Sequence, residues 1–353
     1  MIHQDIEFHN VVEVEPSTTG GVTLRRFPSE VRQSLCPLGR MVSQDTAGCE
    51  IRCVTEAPSL RLAIETQPFF LAPYEMHGQD LLVFRGAFFH SRHIMEPGKV
   101  NHIHLMDMGH AEKNAFESLK PEVRATDYFS PNVWRFMLGR YNATFHELDT
   151  YGESHRPPQA EEKPRKRMLC YGSSITNGAS PTMHHLCYVS QAARHLKVDA
   201  FNQGLSGSCQ CEKEVADYLA EREDWDIITL ELGVNMRGAF TPEEFQQRSR
   251  YLIERIIARH PDKPVVLITI YPNGQSIQNA LEESEHQVKQ LAFDTILRET
   301  VKELQHPQLH LVEGSDILTD YSGITKDLIH PGDYGHSEMG LNLAKFIQDK
   351  ELL

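Results

Sequence analysis

Five short apolar stretches in the second half of the chain, 168–171, 198–202, 226–232, 264–271 and 309–312, alternate with helical patterns. Alternation of that kind builds a parallel sheet, because successive parallel strands must be joined by a crossover and a helix is the compact way to make one. The expected fold class is therefore α/β. One of the helices is marked by Thr241-Pro242-Glu243-Glu244, where the threonine hydroxyl can cap the first turn and proline suits the first helical position. In open sheets of this class ligands bind beyond the carboxyl ends of the strands, so the loops that follow the five stretches are where function is sought.

The first half has another texture. From residue 1 to about 150, short β-rich runs such as Glu50–Val54, Leu60–Ile64 and Asp80–Phe84 are cut by turn residues. Leu60, Leu62 and Ile64 recur at every second position, a period of two that turns one face to a core and the other to water. A β-sandwich, jelly-roll-like, is expected here. Residues 151–166 are polar and broken by Pro157, Pro158 and Pro164, and read as a solvated linker. Residues 167–353 then form the α/β domain. A chain of 353 residues is long enough for both.

Acidic residues outnumber basic ones 49 to 35, a formal charge of −14, which argues against nucleic acid as a partner because a phosphate-coated ligand needs a cationic surface. Arg165-Lys166-Arg167 is a basic cluster, but in an acidic chain and just before a strand it reads as part of the solvated linker. The opening residues lack the basic head and apolar run of a secretory signal, and no window approaches the roughly 20 apolar residues that span a bilayer. A soluble cytoplasmic protein with no membrane partner is the expectation. Seven cysteines without a repeating pair spacing point to reduced thiols; neither Cys209-x-Cys211 nor Cys49-x3-Cys53 has a second ligand pair, and no metal is expected. His184-His185 lacks a carboxylate at the spacing that would complete a metal site.

Ser174 stands directly after the first apolar stretch, ahead of a helix placed from about Pro181, so its hydroxyl would project at the carboxyl edge of the sheet. A serine hydroxyl is a poor nucleophile at neutral pH and needs an adjacent base. His330 supplies one if the last loop folds back over the first strand, and Asp327, three residues before it, would hold the imidazole in the required tautomer. Acyl transfer also needs donors for a developing oxyanion. The loop Asn202–Ser208 offers exposed backbone N–H groups, that of Gly207 foremost, and Asn235, after the third stretch, can present a side-chain amide. His336 opens the last helical pattern and reads as a capping or packing residue.

These blocks, Gly172-Ser173-Ser174-Ile175-Thr176, Gly204-Leu205-Ser206-Gly207, Gly233-Val234-Asn235 and Asp327-Leu328-Ile329-His330, resemble in type and order those of the SGNH (GDSL) hydrolase superfamily. The resemblance covers about residues 167–353. It implies a flavodoxin-like three-layer α/β/α fold, a Ser174, His330, Asp327 triad, and an oxyanion hole built from Ser174 N–H, Gly207 N–H and the Asn235 amide. Ser173 and Met236 stand where the family usually carries aspartate, which bears on loop geometry and substrate range; Met236 is expected to line a drier pocket. The β-region followed by this domain looks like the arrangement of carbohydrate acetylesterases, including acetyl-xylan esterases.

The expected activity is therefore cofactor-free hydrolysis of short acyl esters, acetyl foremost, of a small-molecule or oligosaccharide substrate through a Ser174 acyl-enzyme. A lipase, lysophospholipase or thioesterase acting on longer chains is the alternative within enzymes, and a non-catalytic carbohydrate-binding protein the alternative outside them. For the latter, Phe69, Phe70, Tyr74, Phe84, Phe88 and Phe89 could stack on sugars, although a sandwich core is the commoner use of such side chains. A homo-oligomer is left open.

Overall fold

A computed structural model describes residues 1–67, 79–106, 118–120, 128–277 and 284–353. In chain order its strands are β1 (Ile2–His3), β2 (Ile6–His9), β3 (Glu13–Pro16), β4 (Val22–Arg25), β5 (Glu50–Thr55), β6 (Ser59–Gln67), β7 (Asp80–Arg85), β8 (Phe88–Ile94), β9 (Val100–Met106), β10 (Val133–Met137), β11 (Asn142–Asp149), β12 (His155–Arg156), β13 (Arg167–Gly172), β14 (Asp199–Gly204), β15 (Ile227–Glu231), β16 (Val265–Ile268) and β17 (Leu309–Val312). The helices are α1 (Ser29–Ser34), α2 (Pro37–Val42), α3 (Ser174–Asn177), α4 (Tyr188–Leu196), α5 (Lys213–Glu221), α6 (Pro242–Arg259), α7 (Gly274–Ile277), α8 (Glu285–Leu304), α9 (Gly314–Ile317) and α10 (Asp333–Asp349).

Two antiparallel sheets make the N-terminal sandwich, one in the order β1-β2-β5-β10-β7-β8 and the other β3-β4-β11-β6-β9. Their inner faces meet in one core, to which the first sheet gives Phe8, Ile51, Val83, Trp134 and Phe136 and the second Leu24, Leu62, Ile64, Leu105 and Phe145. Leu60, Leu62 and Ile64 all point inward, as their alternation requires.

The third sheet is wholly parallel, ordered β14-β13-β15-β16-β17. Its strands are buried on both faces. Leu169, Tyr171, Ile228 and Leu230 point to one side with α5, α6 and α8, whereas Met168, Cys170, Ile227 and Val266 point to the other with α4 and α10. The result is the three-layer α/β/α arrangement of the flavodoxin type. Because the strand order reverses at β13, the crevice beyond β13 and its neighbours is the natural ligand site. The cap expected on α6 is present: Thr241 Oγ1 accepts the Glu244 N–H at 3.2 Å and Glu244 Oε2 accepts the Thr241 N–H at 2.8 Å.

Three features differ from the sequence reading. The stretch 151–166, expected to be a solvated linker and exposed over much of its length, is nonetheless tied to the fold: β12 pairs with β5, and Arg156 forks onto Glu162 at 2.7 and 2.9 Å. Lys163 bonds Glu7, and Lys166 bonds Asp226 at 3.0 Å. The helix placed from about Pro181 starts instead at Ser174 as a single turn, capped by Ser173 Oγ on the Ile175 N–H and stopped by Gly178 at φ +92°; the long helix begins only at Tyr188. Finally, the segment 27–42, which carries α1 and α2 within the β-rich half, packs Phe27, Val31, Leu35 and Val42 into the core shared with Leu169 and Tyr171 of β13 and Ile228 and Leu230 of β15.

Among the described residues, no helix is long and apolar enough to cross a membrane. All seven cysteines are unpaired, and six are buried.

Candidate active site

Ser174 leaves the end of β13 as the first residue of α3. Its Oγ lies 2.7 Å from His330 Nε2, and His330 Nδ1 lies 2.6 Å from Asp327 Oδ2. The loop that brings His330 back across the sheet is fixed by Thr325 N–H on His330 O at 2.8 Å and Gly274 N–H on Leu328 O at 2.6 Å. Leu328 is held at φ +57°, a conformation rare for a leucine, in the turn that brings the Asp327 carboxylate to the imidazole it precedes by three residues.

Burial pushes the Asp327 carboxyl up, but bonds from the His330 ring, the His330 amide and the Ile329 amide outweigh it and hold the group at about 2. Asp327 is thus an anion at neutral pH and can only accept. His330 Nδ1 must therefore carry the proton, which leaves Nε2 to accept from the Ser174 hydroxyl. That is the protonation pattern a serine nucleophile needs.

The three expected oxyanion donors follow the carboxyl ends of three adjacent strands. Gly207 follows β14 at φ +68°, left-handed backbone that glycine adopts freely. Asn235, after β15, uses its Oδ1 to accept the Cys209 N–H at 3.1 Å, which orients the amide and leaves Nδ2 available. Among the described residues, Ser174 N–H, Gly207 N–H and Asn235 Nδ2 have no protein acceptor.

The departures from the family pattern resolve locally. Ser173 is fully buried and caps α3, work that an aspartate side chain also does. Met236, expected to line a pocket, is instead fully buried in the core on the α6 side. His336 is a packing residue: its Nδ1 accepts the Tyr188 N–H at 3.2 Å, so its Nε2–H donates to Ala179 O at 2.9 Å. His184 is buried, and burial pushes its imidazole down to about 3.

Of the aromatic residues considered for sugar stacking, Phe84 is buried beside Met137 and Met183. Phe88 and Phe89 are exposed, and Phe89 stacks on His185 at 5.8 Å. Phe69, Phe70 and Tyr74 lie outside the described residues. Glu7, His9 and Asp199 bring three ligand-type atoms together, but Arg52 occupies both carboxylates, at 3.1 Å from Glu7 and 2.6 Å from Asp199, and Lys163 also bonds Glu7. The cations already present neutralise that donor set.

Glu231, at the end of β15, was missed by sequence reasoning. Its Oε2 accepts the Ser173 N–H at 2.7 Å and the Thr176 hydroxyl at 3.0 Å, gripping the turn that carries Ser174 on both sides of it. The one signal was a carboxylate closing the uncharged, β-branched-rich run Ile227-Ile228-Thr229-Leu230. Burial pushes Glu231 up to about 7, although the bonds from Ser173 and Thr176 pull the other way. A carboxyl whose folded pKa exceeds its unfolded value adds stability fully below the unfolded value, and loses that contribution as the pH rises through the folded one. Thermal denaturation between about pH 5 and pH 8 should show the native protein losing more stability than Glu231→Gln across that window; parallel curves would reject the assignment.

A family model described as GDSL-like Lipase/Acylhydrolase matches residues 165–348, more than half of the chain. The protein belongs to that family, and its class is carboxylic ester hydrolase. A search of curated protein sequences finds no match. Among solved structures, the chain is similar over 99% of its length, and 96% of the other's, to a salicylyl-acyltransferase from a tetracycline biosynthetic pathway, with a TM-score of 0.81 and 14% identity. It is similar to a GDSL-like lipase from Bacteroides ovatus over 98% of this chain and 97% of that one (TM-score 0.70, 20% identity). A family two carbohydrate esterase from Clostridium thermocellum matches over 98% and 99% (TM-score 0.59, 12% identity). At these identities the likeness is one of fold, and it extends through the N-terminal sandwich.

Proposed function

We propose that this protein removes short acyl groups, acetyl foremost, from carbohydrate esters through a Ser174 acyl-enzyme. The observation that carries the reading is the unbroken chain Ser174–His330–Asp327, at 2.7 and 2.6 Å, at the sheet edge where three donors without protein acceptors follow the ends of adjacent strands. Support for a carbohydrate substrate comes from the shared two-part architecture of the family two carbohydrate esterases.

In this reading His330 Nε2 takes the Ser174 proton as Oγ attacks the acyl carbonyl, and the oxyanion meets Ser174 N–H, Gly207 N–H and the Asn235 amide. Collapse breaks the bond to the sugar oxygen, which leaves with the proton from His330. Water then attacks the acyl-enzyme, giving its proton to His330, and the second collapse releases acetate and returns that proton to Ser174. Asp327 stabilises the imidazolium in both halves.

The test is a panel of acetylated sugars together with p-nitrophenyl esters of increasing chain length. Turnover should be greatest for acetyl and fall steeply toward octanoyl. A maximum at octanoyl would instead support the lipase or thioesterase alternative, and glycan binding without turnover of any ester the carbohydrate-binding one.

A further inference from the structure

We propose that Arg140, carried by the β-sandwich, is a positioning residue for the reaction, locking the turn that bears Ser174 to the loop that bears Gly207. The inference rests on the serine-hydrolase reading above. Arg140 lies in the short turn between β10 and β11, in the other half of the chain. Its Nε donates to Asn177 Oδ1 at 2.7 Å and its Nη2 to Ser206 Oγ at 2.9 Å, while the Ser206 hydroxyl donates to the same Asn177 oxygen at 2.9 Å. These bonds form a closed triangle. Asn177 ends the single helical turn that Ser174 begins, and Ser206 immediately precedes Gly207, so the triangle's corners are the sandwich, the nucleophile turn and the oxyanion loop.

The triangle has a second support behind it, also from the sandwich half. Asn177 Nδ2 donates to Asp45 Oδ2 at 3.1 Å and to Gly204 O at 3.1 Å. Asp45 pairs with the fully buried Arg26, whose Nη1 donates to Asn202 O at 2.9 Å and Gly204 O at 3.1 Å. Arg140, Asp45 and Arg26 thus tie the turn that follows β13 to the end of β14 and the loop beyond it. The turn and the loop meet so closely that a Cβ on Gly204 would stand 2.3 Å from Asn177 N. Arginine suits the corner because its planar fork serves two acceptors at once, whereas a lysine ammonium sits on a flexible stem as a point charge.

Oxyanion donors act only at the right distance from the charge that develops, and a misplacement of about 1 Å can cost on the order of 100-fold in rate. Arg140→Ala should therefore lower kcat, counted per fluorophosphonate-labelled serine, by about 10- to 100-fold and leave KM for p-nitrophenyl acetate nearly unchanged. Affinity for a trifluoromethyl ketone should weaken in parallel with kcat/KM. Arg140→Lys should recover part of the loss. Ser206→Ala removes only the hydroxyl corner, and should add little to the alanine change at 140, as expected of residues acting as one unit; it keeps the test standing if Arg140→Ala does not fold. Folded variants whose kcat per labelled serine stays within about twofold of the native value would overturn the inference while leaving the hydrolase reading intact. Failure of the native protein to label at Ser174 would overturn that reading and this inference with it.

Discussion

Replacing Ser174 by alanine is expected to lower turnover of p-nitrophenyl acetate by about 10⁴- to 10⁶-fold, the range seen when a triad nucleophile is removed. No other group at the end of β13 can take over the attack. Ser173 is fully buried and its Oγ is engaged by the Ile175 N–H, and Thr176 is bonded to Glu231 and Tyr188. The substitution should leave the fold intact, because Ser174 is only half-buried and the bond its hydroxyl makes is to the His330 ring. Initial rates, with denaturation curves showing that both proteins are folded, make the comparison. Retention of most of the activity would refute the nucleophile.

The second large effect is expected at the base. His330→Ala should cost about as much as the serine change, since nucleophile and base act as one unit and the first loss removes most of what either supplies. Asp327→Asn should cost less, about 10⁴-fold. An asparagine keeps an oxygen for the Ile329 and His330 amides, which Asp327 Oδ1 now accepts at 2.8 and 2.9 Å, so the loop stays closed. It cannot supply the negative charge that fixes the proton on Nδ1. Combining His330→Ala with Ser174→Ala should therefore lower the rate little beyond either change alone. A multiplicative loss would show that the two residues act independently and would break the assignment of His330 as the base for Ser174.

Why the grouping of Ser174, His330 and Asp327 could be read from sequence while the contacts of Arg140 could not follows from what constrains each. Chemistry dictates residue type: a nucleophile, a base, an orienting acid and backbone donors must be Ser, His, Asp and Gly-type positions, and a parallel sheet dictates that they follow strands in chain order. Positioning imposes no such rule. Asn177 meets Asp45 and Arg140 across separations of 132 and 37 residues, and many polar residues could close the same gap. Local turns were misread for a different reason. Pro181 looked like a helix start, but Ser173 had already offered a cap eight positions earlier, and the turn it nucleates ends too soon to leave a periodic pattern. The ties of the proline-broken stretch 151–166 to the sandwich were hidden because contacts such as Lys163 with Glu7 and β12 with β5 join residues far apart in sequence.

The placement of α1 and α2 bears on how such a chain can be recombined. Phe27, Val31, Leu35 and Val42, at about 1.5–3 kcal/mol for each buried apolar side chain, together represent about 6–12 kcal/mol, on the scale of the whole net stability of an ordinary domain. A hydrolase half cut out at residue 150 would expose the apolar face those four side chains cover. The two halves cannot be exchanged among proteins like beads on a string: the sandwich brings with it part of its neighbour's interior, and any graft must carry residues 27–42 along.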